Sequence, residues 1–426
     1  MPMQQPKQLL LIGTLDTKGE DYAYVRDLVV ARGHRVVTVD IGVAGEPAGI
    51  VPDWDADEVA RRAGVSREAL RATGDRGGAL AAMAEGATEL VMELHRQGRI
   101  DGILGMGGTG GTSVISAVMR RLPVGFPKVL VSTAASGDTR PIVGTRDVVL
   151  IPSVVDVAGI NRISELIYRE AAAAVCGMME QPPPPERAEK PLIAITMFGN
   201  TTFAVERCKR QLEAQGYECL VFHCTGTGGR TMEGLVEDGR IAAVLDMTTT
   251  EWADELCGGV FTAGDTRLEA PGKRGIPHLV VPGCIDMVNF GGAASVPERY
   301  RDRQLYAWNA NVTLMRTDAV ENARLGEIFA EKLNPSSQRS TVVLIPSRGY
   351  SLLGATGERF HDAAADAAFE QALRARLDPH IRCETLELAI NDEAFADRAA
   401  SLLIELLAAQ QAGQEREDKR GGAVHD

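Results

Sequence analysis

The stretch from Gly102 to Ser113 constrains this chain more than any other. An apolar run, Ile103 and Leu104, passes through Gly105, Gly107, Gly108, Gly110 and Gly111 into the helical pattern Val114, Ile115, Val118 and Met119. That order predicts strand, glycine-rich turn, helix. Glycine lets the backbone approach an anion, the first amides of a helix are free to bind it, and the helix dipole favours its charge. The stretch therefore points to phosphate or nucleotide binding, or else to a turn whose glycines serve only close packing of strand on helix.

Gly105-x-Gly107-x-x-Gly110 matches the dinucleotide fingerprint, which also wants an acidic residue about 20 positions on. The next strand, Lys128 to Val131, ends instead in Ser132 and Thr133. An NAD-dependent dehydrogenase is thus the weaker alternative. No lysine precedes Thr112 or Ser113, so the P-loop pattern is absent.

Other strand ends carry chemistry as well. Gln8 to Ile12 reads as a strand buried on both faces, followed by Gly13, Thr14, Asp16, Thr17 and Lys18. At the carboxyl end of a strand, where open α/β sheets bind ligands, Lys18 is placed for phosphate and Asp16 for Mg²⁺ or its waters. A solvated loop charge is the alternative for each. Asp40, ending the strand His34 to Val39 beside Gly42, either holds a ribose hydroxyl or a metal, or caps a turn. Ser132, Thr133 and Ser136 either donate to phosphate or shape a tight turn.

Residues 181–190 contain Pro182 to Pro185 and read as a semi-rigid linker between lobes. Beyond it the pattern repeats. Leu192 to Asn200 parallels the first strand and loop, and Gly239-Arg240-Ile241 through Leu245, Met247 and Thr250 answers Gly98-Arg99-Ile100 through Leu104, Met106 and Thr109. Matches kept in order predict two similarly wound sheets. The expectation is two Rossmann-like lobes, each a mostly parallel sheet flanked by helices, over 1–180 and 191–409. A polar tail at 410–426 is expected to be disordered. The second lobe offers His223, Asp246, Glu251 and Asp286 at strand ends as candidate acid-base groups. Each also has a plain structural reading, a satisfied core histidine or a carboxylate at a helix start.

Bulk properties narrow the classes. With 58 acidic and 45 basic residues the formal charge is −13, which argues against a nucleic-acid surface. Seven cysteines without paired or zinc-type spacing suggest reduced thiols. No apolar run reaches the roughly 18 residues of a membrane span, and the start of the chain leads straight into a strand. A cytoplasmic protein is expected.

Several loops together resemble one family. They are Ile12 to Lys18, Gly105 to Ser113, Ser132 to Gly137, Pro152 to Asp156, Phe222 to Arg230 and Asp286 to Gly291. All are similar to the plant tobamovirus-resistance (Tm-one-like) ATP-binding family, over nearly the whole chain. The resemblance implies a two-lobed homodimer with Mg·ATP in the N-terminal lobe. It draws the nucleotide residues from Gly13, Thr14, Asp16, Thr17, Lys18, Asp40, Gly42, Gly107, Gly108, Gly110, Gly111, Thr112, Thr133 and Ser136, with Asp16 at the metal. The plant proteins continue into a barrel-like domain this chain lacks, so a separately encoded barrel protein is a candidate partner. The antiviral role is not carried over. Function is expected to be ATP binding, with a small-molecule or partner site in the inter-lobe cleft. Two readings follow: an ATP-dependent enzyme of small-metabolite metabolism, or a non-catalytic ATP-regulated binding module.

Overall fold

The computed structural model describes residues 5–182, 190–336 and 340–421. The chain divides into two units, Met1–Pro185 and Glu186–Asp426. Most of the proline-rich linker and residues 422–426 lie outside the described residues.

The first unit is built on five parallel strands: β1 (Gln8–Gly13), β2 (Arg35–Asp40), β3 (Gly102–Gly107), β4 (Lys128–Ser132) and β5 (Val149–Pro152). They lie in the order β2-β1-β3-β4-β5. Side chains alternate across a strand, and β1 shows the consequence. Leu9 and Leu11 join a core with the helices Leu15–Ala31 and Arg162–Met179. Leu10 and Ile12 join another with the helices Arg76–Arg96 and Thr109–Arg121. Both faces are covered, which is why β1 is apolar throughout. The chain winds one way from β1 to β2 and the other way from β3 onward, so the strand order reverses between β1 and β3. Ligands of such sheets bind at that switch point, outside the carboxyl ends of the strands.

The second unit repeats the winding with one strand more. Its parallel sheet contains β6 (Leu192–Met197), β7 (Glu218–His223), β8 (Ala243–Asp246) and β9 (His278–Val280). After β9 the chain inserts a separate antiparallel sheet of β10 (Met287–Phe290), β11 (Leu305–Asn309) and β12 (Val312–Arg316), ordered β10-β12-β11. It then returns through β13 (Thr341–Pro346) and β14 (Arg382–Leu386) to complete the order β14-β13-β9-β8-β6-β7.

Two expectations shift here. The segment Asp286 to Gly291, read as a loop, contains β10. Its short run with Asn289 inside gives no clear alternation in the sequence. The final helix, Glu393–Gly421, passes the expected end near Ala409, because the Gln, Glu, Arg and Lys that follow are good helix formers and Gly413 alone does not break it. All seven cysteines are unpaired. Among the described residues no helix is long and apolar enough to cross a membrane.

Candidate functional site

At the β1/β3 switch point a cavity of ≈ 650 Å³ opens, within the range of about 300–1,000 Å³ usual for small-ligand sites. Thr14, Asp16, Thr17 and Lys18 border it from the loop after β1, and Gly108, Thr109, Gly110 and Gly111 from the turn after β3. Ile41, Val43, Leu70 and Leu80 supply an apolar wall, and Arg71 and Arg76 bring positive charge. A second cavity of ≈ 510 Å³ shares Gly108, Thr109 and Asp156 with it and adds Thr133, Ser136 and Ser153. A larger cavity, ≈ 1140 Å³, lies at the amino ends of β6 and β7 beside Leu192 and Glu218. That is the end of an open sheet where ligands do not usually bind.

The glycines of the turn divide into two kinds. A Cβ on Gly105 would enter Ile115, so that glycine serves strand-to-helix packing. Gly107 is tight too, 3.3 Å from Gly111 Cα. At Gly108 an added Cβ meets only Thr133 Oγ1, at 3.8 Å, and at Gly110 the end of Arg76, at 3.2 Å. At Gly111 it meets nothing among the described residues within 4 Å. None of these three has a positive φ. Inside a helix a glycine costs roughly 1 kcal/mol against alanine, and at Gly110 and Gly111 neither a positive φ nor close packing requires one; Gly108 stands at the N-cap, where glycine is itself favoured over alanine. Gly108 caps the helix Thr109–Arg121 without a side-chain hydrogen bond, leaving the first-turn amides toward the cavity.

Other expected residues make contacts within the fold. Gly13 is where the ring of Tyr22 passes, and a Cβ would collide with it. The Tyr22 hydroxyl donates to Ile12 O at 2.6 Å or Met106 O at 2.7 Å and accepts from Met106 N at 2.5 Å. It thereby ties β1 to β3 where they part. Asp40 does not border either cavity. Its Oδ1 accepts from Leu15 N at 2.9 Å and Gly42 N at 2.8 Å, capping the first helix, while Oδ2 is buried without a partner among the described residues. Burial pushes its carboxyl up to about 6. Gly42 leaves room for the Asp16 carboxylate, which accepts from Ala44 N and Gly45 N, both at 3.0 Å, through Oδ2. Asp16 Oδ1 is buried and unpartnered among the described residues. Lys18 Nζ donates to Val157 O. Thr17 Oγ1 turns to Thr14. Thr112 is buried and shares a 2.6 Å hydrogen bond with Ser132, joining the helix to β4.

Arg71, Arg76 and Asp156 were missed by the sequence reading. Arg76 stands in a second glycine-rich stretch, Gly74-Asp75-Arg76-Gly77-Gly78, which was the available signal. Beside Asp156, Val154 holds φ 63 with 73% of its surface exposed. Positive φ is a real outlier for a β-branched residue, and the Ser153 O to Val155 N bond of 2.7 Å holds the chain there.

In the second unit the four candidate acid-base groups are not brought together. Asp246 and Glu251 are buried around Arg267, which also reaches Glu233. Arg267 and the His278 Nε2 contact at 2.8 Å hold Asp246 well below the usual carboxylate range, whereas burial pushes Glu233 and Glu251 up. Glu251 Oε1 accepts from Gly226 N at 2.9 Å and Gly229 N at 3.1 Å. The glycine turn of this unit is thus filled by the protein's own carboxylate. Asp286 is buried, accepts from Ser351 Oγ at 2.6 Å, and is pushed up by desolvation. His223 is exposed at the end of β7, its ring 5.4 Å from that of Phe198. Among the described residues no three His, Cys, Asp or Glu side chains form a metal cluster.

Comparison with known proteins bears on the whole chain. A UPF0261 protein of Clostridium tetani is 46% identical over 94% of this chain and 99% of its own length. One from Rhizobium meliloti is 45% identical over 93% of this chain and 98% of its own. The tomato ToMV resistance protein Tm-1(GCR237) is 36% identical over 94% of this chain, which spans 56% of the tomato protein. Residues 7–184 match the N-terminal domain, and residues 190–407 the C-terminal domain, of the uncharacterised protein family UPF0261. The chain belongs to the UPF0261 family, with the tomato Tm-1 proteins among its relatives.

Proposed function

We propose that the first unit binds ATP, its phosphates at the amino terminus of the helix Thr109–Arg121 and its base and ribose along Ile41, Val43, Leu70 and Leu80. One observation carries this reading: beside the N-cap Gly108, Gly110 and Gly111 keep open a space that neither a positive φ nor close packing requires. An uncapped helix start with Lys18, Arg71 and Arg76 on the same cavity suits a polyanion. Mg²⁺ fits beside it, since with nucleotides it needs only one or two carboxylates and Asp16 borders the cavity with one oxygen unpartnered among the described residues. When bound, the ion neutralises phosphate charge. Asp16 positions it, Lys18 and the two arginines hold the phosphates, and the apolar wall selects a nucleoside over free phosphate. NAD is disfavoured because Asp40 is spent on capping amides.

Of the two readings, a binding module has the better support, because Asp246, Glu251 and Asp286 are committed to buried networks. Assembly as a homodimer, and docking of a partner that supplies what the longer tomato relatives carry beyond this chain, belong to the same proposal.

Calorimetric titration of ATP and of NAD with Mg²⁺ tests the site. ATP is expected to bind and NAD not. The double variant Gly108→Val, Gly110→Val is expected to weaken ATP at least about tenfold, a 1.4 kcal/mol loss, with its circular dichroism unchanged. Equal binding by that variant, or none by the native protein, overturns the proposal. Release of ADP, AMP or pyrophosphate on addition of small acids or alcohols would favour the enzyme.

A further inference from the structure

We propose that Val154 is a backbone switch for the nucleotide site: Mg·ATP turns it from the left-handed conformation to extended backbone, and the Val155 amide so released donates to a phosphate oxygen. The inference rests on the nucleotide reading above and names the regulation of that same site.

Among the described residues three non-glycines hold positive φ: Val154 at 63°, Leu268 at 79° and Cys284 at 60°. Leu268 and Cys284 are fully buried, so packing on every side holds them. Val154 is 73% exposed and lacks that support. Its branched Cβ makes the left-handed region costlier still. One bond closes the turn, Val155 N donating to Ser153 O at 2.7 Å, which with this φ is a γ-turn of the rare, strained kind. Strain of this sort gathers at ligand clamps and switches.

The chain is pinned on both sides of the turn. Ser153 N donates to Ser132 O at 3.1 Å, at the end of β4. Behind the turn, Val157 is fully buried in the core beside the first helix, and Lys18 Nζ donates to Val157 O. A rotation at Val154 therefore leaves the core in place. Lys18 also borders the nucleotide cavity, so it ties this segment to the loop after β1.

Val154, Val155 and Asp156 border the cavity of ≈ 510 Å³ together with Gly108 and Thr109. Those last two also border the nucleotide cavity, so a phosphate at the start of the helix Thr109–Arg121 lies where the two meet. No lysine or arginine lines the smaller cavity among the described residues. Its charged residue is Asp156, whose Oδ1 accepts from Val157 N at 2.8 Å. An anion meets that carboxylate unless Mg²⁺ comes with it, so the ligand is Mg·ATP. Rotation of Val154 to negative φ breaks the bond to Ser153 O, relieves the strain and frees a neutral donor at this boundary. A ligand shifts such an equilibrium only through a contact it makes in one state and not the other, and the Val155 amide is that contact.

Two substitutions should move the equilibrium in opposite directions. Glycine enters the left-handed region freely, so Val154→Gly favours the turn and should weaken Mg·ATP about five- to tenfold, as apparent affinity follows the population of the competent state. Proline fixes φ near −65°, so Val154→Pro forbids the turn and should tighten Mg·ATP by about the same factor. Val154 N makes no hydrogen bond among the described residues that proline would remove. Calorimetric titration of the native chain and both variants reads the affinities, with circular dichroism as the check on folding. In valine-labelled native protein, magnetic resonance should show the Val154 backbone shifts moving from left-handed to extended values on saturation with Mg·ATP. A folded Val154→Gly protein that binds as tightly as the native one overturns the switch, and so do Val154 shifts that stay left-handed at saturation. In either case the nucleotide site stands. Absence of ATP binding by the native protein overturns both.

Discussion

Tyr22 and Asp40 hold the cavity at the β1/β3 switch point in shape without lining it. Tyr22→Phe keeps the ring but leaves Met106 N without its acceptor and Ile12 O without a donor, deep between two strands. Each orphaned group costs about 1–3 kcal/mol, so a loss of roughly 2–4 kcal/mol is expected in urea unfolding, with weaker ATP binding as β1 and β3 loosen. Gly13→Ala should do comparable damage, because its methyl meets the same ring. For Asp40 the sign follows from its raised pKa, about 6 in the fold against 3.8 normally. The folded state holds the proton more tightly, so between about pH 4 and 6 stability falls as pH rises. Asp40→Asn can keep Oδ1 as acceptor and place its amide at the unpartnered oxygen. The native protein should lose up to about 3 kcal/mol relative to that variant from pH 4 to 7, read from paired denaturation curves. Neither role was legible in the sequence. Tyr22 reads as one more apolar helix position, and Asp40 had capping only as an alternative, because what decides each is contact made in the fold, with Ile12 and Met106 of two strands for Tyr22 and with the helix start at Leu15 for Asp40.

Two glycine-rich turns of similar composition have opposite fates at the level of elements. Gly108 to Gly111 stays open, whereas Gly226 and Gly229 close on Glu251, a residue 25 positions from Gly226. At Gly228 and Gly229 a Cβ would strike His223 backbone or the Glu251 carboxylate, so these glycines serve the fold. Composition marked both turns; only the neighbour delivered by β8 tells them apart. Arg267 is the counter-charge that makes this plug stable. Arg267→Met would leave Glu233, Asp246 and Glu251 facing one another in a buried site, a loss of about 3–5 kcal/mol. The deficit should shrink on acidification, as protonation relieves the repulsion, and thermal unfolding at two pH values would show it. A deficit that is the same at both would mean the carboxylates are not held together by Arg267. The antiparallel sheet β10-β12-β11 escaped the sequence reading because its strands are only four or five residues long and one carries a buried asparagine.

Across the whole molecule, ligand binding should stabilise the units unequally. ATP at a hundredfold excess over its dissociation constant adds about 2.7 kcal/mol to whatever unfolds with its site. Amide exchange should therefore slow in Gly102–Gly107 and Thr109–Arg121 and stay unchanged at Thr227–Glu237, where Glu251 already occupies the amides. Equal protection of both turns would count against a single nucleotide site per chain. The sequence alone determined two similarly wound α/β lobes and where their glycine-rich turns fall, because local periodicity records which faces are buried, and its loops carried the family resemblance. Tertiary structure alone decided which glycines keep space for a ligand, which carboxylates are consumed as internal counter-ions, and where the second unit leaves a pocket. Those properties depend on partners far along the chain, and a hydrogen bond or a packed ring leaves no periodic trace in either partner's neighbourhood.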